Sequence, residues 1–354
     1  MFNILKIWYK RYLSEPEAVY LLIAIVAILI FMTFLSELFA PLFTSLVIAY
    51  LLEDMVVRLE KWHWPHWLAV STVFLFFISL LVLGLLVLLP LLWQQASALL
   101  LELPAMLGRG SRFLTALPTR YPDLISADQF NSIVATLKTD ALRYGRVILT
   151  ISVASIPTLI ALAIYLVLVP MLVYLFLLDK DGLTTWCNRY LPKDKTTISA
   201  IWHEVDVQLG NYIRGKLLEV VIVTIAAFII FSLLNLNYTA LLAVLVGLST
   251  LIPILGAVMV SVPVVLVAFL EWGWGSSLLY LVIAYSILLA IDANVLVPLL
   301  FSEAVKIHPV AIIIAILFFG AIWGFWGIFF AIPLAILLKA LLQSWPRASV
   351  HSSE

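Results

Sequence analysis

The stretch from Leu241 to Phe269, LLAVLVGLSTLIPILGAVMVSVPVVLVAF, carries no charge and is interrupted near its middle by Pro253 and Gly256, with Pro263 beyond. As one unbroken helix it would be about 43 Å long at about 1.5 Å per residue, more than the roughly 30 Å of a bilayer's hydrocarbon core. Proline removes a backbone donor and clashes with the preceding turn. Lipid cannot satisfy the polar groups this frees, so the break is tolerated only where protein or a water-filled cavity covers it. Two half-length helices meeting at a tip, a re-entrant hairpin at a transport site, meet that condition. A kinked spanning helix is the alternative.

The rest of the chain is of the same kind. It is 64% hydrophobic and 11% charged, with a mean hydropathy of +1.16, far above the roughly half-apolar composition of soluble domains. The expected fold class is an all-α polytopic membrane protein with about eight hydrophobic segments. Twenty basic residues balance twenty acidic ones, so no overall charge draws the chain to nucleic acid, and the placement of the basic residues carries the information. The single Cys187 excludes an internal disulfide framework.

The chain divides by composition. Residues 1–92 hold an N-terminal amphipathic helix with Lys6, Lys10 and Arg11, then spans at Val19–Leu35, Leu38–Leu52 and Leu68–Leu92. Residues 93–147, polar and punctuated by Pro104, Pro118 and Pro122, read as an extracytoplasmic helical domain. A long fourth span at 148–178 is kinked by Pro157 and Pro170, and 179–216 reads as a cytoplasmic amphipathic segment. Residues 217–338 form the expected transport core, followed by a cytoplasmic tail at 339–354. His63 and His66, in KWHWPHW, have no evident further ligands nearby, and Trp at a membrane edge is an ordinary anchor. Neither a metal nor a cofactor is expected.

With its basic N-terminus in the cytoplasm, the core reads as two units, each a span followed by a broken hairpin: 217–234 with 241–269, and 276–300 with 310–338. The first starts inside and the second outside. Such an inverted repeat points to a transporter's binding site. Eight full spans remain the alternative topology.

Four strings resemble the successive motifs of the autoinducer-2 exporter (AI-2E) family, closest to its PerM-type permeases of bacterial inner membranes. They are YIRGK at 212–216 followed by Glu219, LVGLSTLIPILGAVMVSVP at 245–263, DANVLVPLLFSEAVKIHPV at 292–310 and GAIWGFWGIFFAIPLAILLKAL at 320–341. The resemblance runs over essentially the whole chain. It implies a homo-oligomeric inner-membrane transporter, with some relatives exporting the quorum signal and others acting in sodium/proton exchange.

Asp292 is the strongest candidate for the pathway. An ionisable group inside a span is costly unless paired or solvated, so Asp292 is expected to coordinate a cation, accept a proton or bond a polyhydroxylated solute. Asn294, Ser249 and Thr250 are its candidate neighbours, and Pro253, Gly256 and Pro298 shape the surrounding backbone. Asp292 and Asn294 point different ways on a regular helix, although unwinding before Pro298 could bring them together. A structural pair with an amide is the other reading of Asp292.

Pro263, Pro309, Gly320, Gly324, Gly327 and Pro333 are candidate hinge residues, the glycines serving either close helix approach or a hairpin tip. Arg214, Glu219 and His308 are secondary candidates: Glu219 could pair with Arg214 or Lys216, and His308 could titrate near neutral pH or cap a helix.

No Walker loop, dinucleotide fingerprint, HExxH or GxSxG is present. The expected activity is non-enzymatic: a secondary transporter exporting a small polar solute across the bilayer, with H+ or Na+ as the candidate coupling ion. A sodium/proton antiporter is the first alternative. A non-transporting scaffold for envelope partners is the second.

Overall fold

In a computed structural model, the structure describes residues 40–115, 156–190, 196–253, 255–301 and 308–343. The expected N-terminal helix and first span, residues 116–147 of the polar domain, the loop holding Glu303 and Lys306, and the tail beyond 343 lie outside the described residues.

Among the described residues every regular element is helical. Five helices are long and apolar enough to cross a membrane: Ala40–Lys61, His66–Glu102, Val205–Leu233, Leu255–Trp272 and Ser276–Phe301. Shorter apolar helices run over Ile164–Leu178, Thr239–Ser249, Val310–Gly324 and Ala331–Ala340. Their outward faces are apolar, with Leu86 71% and Leu299 73% exposed, as a hydrocarbon solvent allows.

Two helices outrun the limits read from sequence. The third span does not stop at Leu92: after a π-helical turn at Gly84–Leu88, the helix continues over Leu89–Thr115. The fifth span is the second half of Thr196–Leu233, a helix of 38 residues, about 57 Å long at about 1.5 Å per residue. Its charged residues do not end the helix because they find partners along it and beside it.

The chain forms two compact units, one of residues 1–74, 167–214 and 301–354 and the other of residues 75–166 and 215–300. The two interrupted stretches fall in different units.

In the unit of residues 75–166 and 215–300, the core gathers Phe231, Leu242, Val264, Leu281 and Tyr285, with Leu99 packed against it. The stretch 241–269 is two helices, Thr239–Ser249 and Leu255–Trp272, and Pro253 lies between them. A Cβ placed on Gly256 would sit 2.6 Å from the Ser249 carbonyl carbon. Residues seven apart on a straight helix are about 10 Å apart along its axis, so this contact marks a chain reversal, and only glycine lets the arms approach so closely. Pro263 stays inside the second arm without ending it. A Cβ at Gly247 would lie 2.8 Å from the Val220 carbonyl oxygen, so the first arm rests backbone to backbone on the long helix.

The turns at the end of this unit are polar. Asn235 and Tyr238 adopt left-handed conformations (φ 53° and 60°). Glu271 accepts from the Asn237 backbone N–H at 3.1 Å and from its side-chain amide at 2.8 Å. Tyr238 donates to Glu102 at 2.9 Å, and the Gln95 side-chain oxygen accepts from Leu241 N–H at 2.8 Å.

In the unit of residues 1–74, 167–214 and 301–354, Tyr212, Ile213, Ile332 and Ile336 make one cluster and Ala315, Ile316, Phe319 and Ala331 another. The second interrupted stretch folds as Pro309–Phe329 and Ala331–Gln343, Pro333 lying in the first turn of the latter. Gly324, at φ 59° and ψ −132°, breaks the first of these helices with a conformation that side chains disfavour. A Cβ on Gly327 would sit 2.5 Å from the Phe319 carbonyl carbon, and one on Gly320 would sit 2.8 Å from Ile328 Cγ1. The chain therefore reverses within 320–328.

Helix Ala40–Lys61 is tied by three acids along its length. Glu53 pairs with Lys180, Asp54 with Arg214, and Glu60 with His66, whose other ring nitrogen meets the Leu178 carbonyl at 3.2 Å. Ser45, buried, donates to the Pro41 carbonyl at 2.6 Å.

Candidate functional site

Proline explains the local shape around Asp292. Residue 298 has no N–H to give Asn294, and its ring crowds that carbonyl. The helix Ser276–Ile291 responds by widening into a π-helical turn over Asp292–Leu296, with Val297 N–H donating to the Asp292 carbonyl, before Val297–Phe301 resumes the α-helix. The same device occurs at Gly84–Leu88, where Leu89 N–H donates to the Gly84 carbonyl and Pro90 follows. Isolated π-turns of this kind are frequent at functional sites.

Asn294 does not turn toward Asp292: its amide donates back to the Ala290 carbonyl at 2.8 Å, and the residue is exposed. Asp292 is half-buried, and its Oδ1 is buried with no hydrogen-bond partner among the described residues. Among the described residues, the charges within electrostatic reach of this carboxylate are on the long helix. Lys216 acts on Asp292, and Asp292 on Glu219. Lys216 Nζ donates to Glu219 Oε2 at 2.8 Å one turn away, and Glu219 is 2% exposed.

The site is thus two carboxylates and one ammonium on two neighbouring apolar helices. A pair of opposite charges in low dielectric offsets part of its desolvation; a third charge without its own counter-ion does not. Lys216 is named from sequence only as one possible partner of Glu219, and its place beside Asp292 is the part that a sequence reading passes over. A basic residue at the mouth of an apolar segment is read as a topology marker, and its inward direction is set by helical phase within a helix whose start is hard to place.

The remaining candidates are placed as follows. The Ser249 and Thr250 hydroxyls are buried but donate to the carbonyls of Val246 and Gly247, at 2.7 Å and 2.8 Å, so each serves the end of its own helix. Pro253 lies between the hairpin arms, its carbonyl accepting from Leu255 N–H at 2.7 Å, and Ile252 accepts from Gly256 N–H at 2.9 Å. Arg214 pairs with Asp54, not Glu219, and lies 5.9 Å from the Tyr50 ring centroid. His308 caps the helix that Pro309 opens, its Nδ1 accepting from Val310 N–H at 3.3 Å. Among the described residues no cluster of His, Cys, Asp and Glu is arranged to hold a metal.

Comparison with known proteins adds a family. The model of the AI-2E family transporters matches residues 22–347. The chain is 43% identical over 350 residues to "Putative permease PerM" of Escherichia coli K12, covering 99% of both chains. It is 24% identical over 340 residues to a "Putative transport protein" of Thermotoga maritima, covering 95% of this chain and 97% of the relative. It is 23% identical over 342 residues to "AI-2 transport protein TqsA" of Escherichia coli K12, covering 94% and 93%.

Proposed function

This chain belongs to the AI-2E transporter family, and from that premise we propose that it is a secondary transporter of the bacterial inner membrane, exporting a small polar solute in exchange for a cation or proton taken up at Asp292. The supporting observation is the buried Asp292 Oδ1, unpartnered among the described residues, beside the Lys216–Glu219 pair. One ammonium between two carboxylates leaves room for one further positive charge, supplied by H+ or Na+ when the site is loaded. The two chain reversals, at 250–256 and 320–328, are re-entrant tips in this reading, and the N-terminal Lys6, Lys10 and Arg11 keep that end in the cytoplasm. The functional particle is a homo-oligomer.

Sodium/proton antiport is the second reading. It is favoured because Asn294, Ser249 and Thr250 all satisfy themselves on nearby backbone, leaving a charged site without neutral polar partners among the described residues.

The test uses full-length protein in proteoliposomes enclosing a pH-sensitive dye. A gradient of autoinducer-2, chosen because a relative's name specifies it, or of Na+ is expected to drive proton movement, and Asp292→Asn to abolish it. Unchanged flux in Asp292→Asn sinks the assignment of this site; absence of any flux in the unmodified protein sinks the coupled mechanism. Autoinducer-2 flux without proton movement would leave a facilitative permease.

A further inference from the structure

At the polar end of the unit of residues 75–166 and 215–300, helix Leu89–Thr115 and the turn at 235–238 border an open cavity of about 350 Å³, within the range of ligand-binding cavities, roughly 300–1,000 Å³. Leu91, Gln95, Glu102, Asn237 and Tyr238 are among its lining residues, and no basic side chain lines it. Its polar side chains are each held at one end. Tyr238 O–H donates to Glu102 Oε2 at 2.9 Å, so Oε1 keeps its acceptor sites. Leu241 N–H donates to Gln95 Oε1 at 2.8 Å, which fixes that amide and leaves both Nε2 hydrogens. Asn237 Nδ2 donates to Glu271 Oε1 at 2.8 Å, leaving Oδ1 as an acceptor. Among the described residues no cation pairs with Glu102.

The wall therefore offers one charged acceptor, one neutral acceptor and a pair of donors, all oriented in advance. We propose that this cavity binds a small organic ammonium ion that also carries hydroxyl groups, the ammonium donating to Glu102 and Asn237 and a hydroxyl oxygen accepting from Gln95. A charged donor on a carboxylate makes the stronger kind of hydrogen bond, so the ammonium is the anchor. A bare metal ion would satisfy the carboxylate but face the Gln95 N–H groups. A phosphate ester or zwitterion would bring an anion to a wall that holds a carboxylate and no basic side chain, and a neutral polyol would leave Glu102 without a counter-charge. The volume sets the size: about 350 Å³ is the share of roughly a dozen waters at about 30 Å³ each, room for an amino sugar. The cavity is separate from the Asp292 cluster. From Glu219 the long helix runs a further 14 residues to its end at Leu233, about 21 Å at about 1.5 Å per residue, and the turn lies beyond that end. A ligand here ties Glu102 on one helix to the turn that leads into the hairpin arm Thr239–Ser249.

The test is saturation-transfer NMR on the full-length protein in phosphatidylcholine nanodiscs, with glucosamine as the probe at a mildly acidic pH that keeps its amine charged. Glucosamine is expected to bind saturably. Glucose, in which a hydroxyl replaces the ammonium, and glucosamine 6-phosphate should each bind about tenfold more weakly, the equivalent of one hydrogen bond to a charged group. Glu102→Gln, which keeps an acceptor for Tyr238 and removes the charge, should bring glucosamine down to the level of glucose. Ala98→Phe should abolish binding by filling the cavity; Leu91→Trp serves the same purpose if that variant does not fold. No glucosamine binding, equal binding of glucose, or binding indifferent to Glu102→Gln or to the filled cavity overturns the proposal. Loss of glucosamine binding when phosphatidylethanolamine replaces phosphatidylcholine would place a lipid headgroup in the cavity and overturn it as well. Asp292→Asn should bind glucosamine as the unmodified protein does, so loss of the transport reading leaves this result intact.

Discussion

Lys216 Nζ and Glu219 Oε2 meet at 2.8 Å inside an apolar helix, and Asp292 draws on the same ammonium from a second helix. Losing one partner of a buried pair costs about 3–5 kcal/mol, whereas replacing both with apolar residues costs far less. Lys216→Met, which leaves two carboxylates without a cation, should therefore be the most destabilising single change in the cluster. Lys216→Met combined with Glu219→Leu should recover part of the loss. Unfolding in detergent micelles gives the order, and a double variant less stable than Lys216→Met would refute the account.

Glycine dependence should separate sharply by position. Gly256→Ala forces a methyl against the Ser249 backbone, which cannot retreat as a flexible side chain would, and overpacking of this kind costs about 1–3 kcal/mol. Gly275 has extended backbone (φ −171°) and open space around its Cα, so Gly275→Ala should stay within about 0.5 kcal/mol of the parent. Equal thermal midpoints for the two variants would contradict the close crossing at Ser249.

Pro298→Ala restores an N–H that can bond the Asn294 carbonyl, removing the reason for the π-turn. Closing it to an α-turn rotates the preceding helix relative to the following one by about 100°, one residue's worth. In a Cys187→Ser background, aqueous maleimide should react with Asp292→Cys at a different rate when Pro298→Ala is added. Identical rates would mean that Pro298 does not set the turn.

The Lys180–Glu53 pair should register as a weak, alkaline-sensitive contribution. Hydrogen bonding to Glu53 holds the Lys180 ammonium above its ordinary 10.5. A folded value above the unfolded one means stability fully present below 10.5 and lost as pH rises through the raised folded value. With Lys180 half-exposed, solvent screening limits the pair to about 1 kcal/mol or less. Lys180→Met should lower the thermal midpoint slightly between pH 7 and 9 and match the parent at strongly alkaline pH. A gap that persists there would point to packing instead of charge.

The sequence displays its interruptions more clearly than its directions. Pro253, Gly256 and the 320–327 glycines mark both reversals because the geometry there forbids a side chain or a backbone donor. The extent of Thr196–Leu233 is hidden, since Arg214, Lys216 and Glu219 resemble a helix-ending polar run until their partners Asp54 and Asp292 are known. Asp292 stands out as a lone acid in an apolar segment. Its neighbours do not, because Asn294, Ser249 and Thr250 could reach a solute or their own backbone, and only three-dimensional placement chooses the backbone.

The π-turn at Asp292 also acts as a phase shifter. Up to it, Leu278, Leu281, Tyr285 and Leu288 recur at helical spacing and are all buried, between 0% and 7% exposed. Continued without interruption, that stripe would pass through 292, 295 and 299 and keep facing the core. Instead Val295 is 54% and Leu299 73% exposed, because one extra residue per turn swings the stripe outward. Asp292 sits where the stripe changes face, so a single helix can be a packing element on one side of its only acid and an exposed, mostly apolar surface on the other.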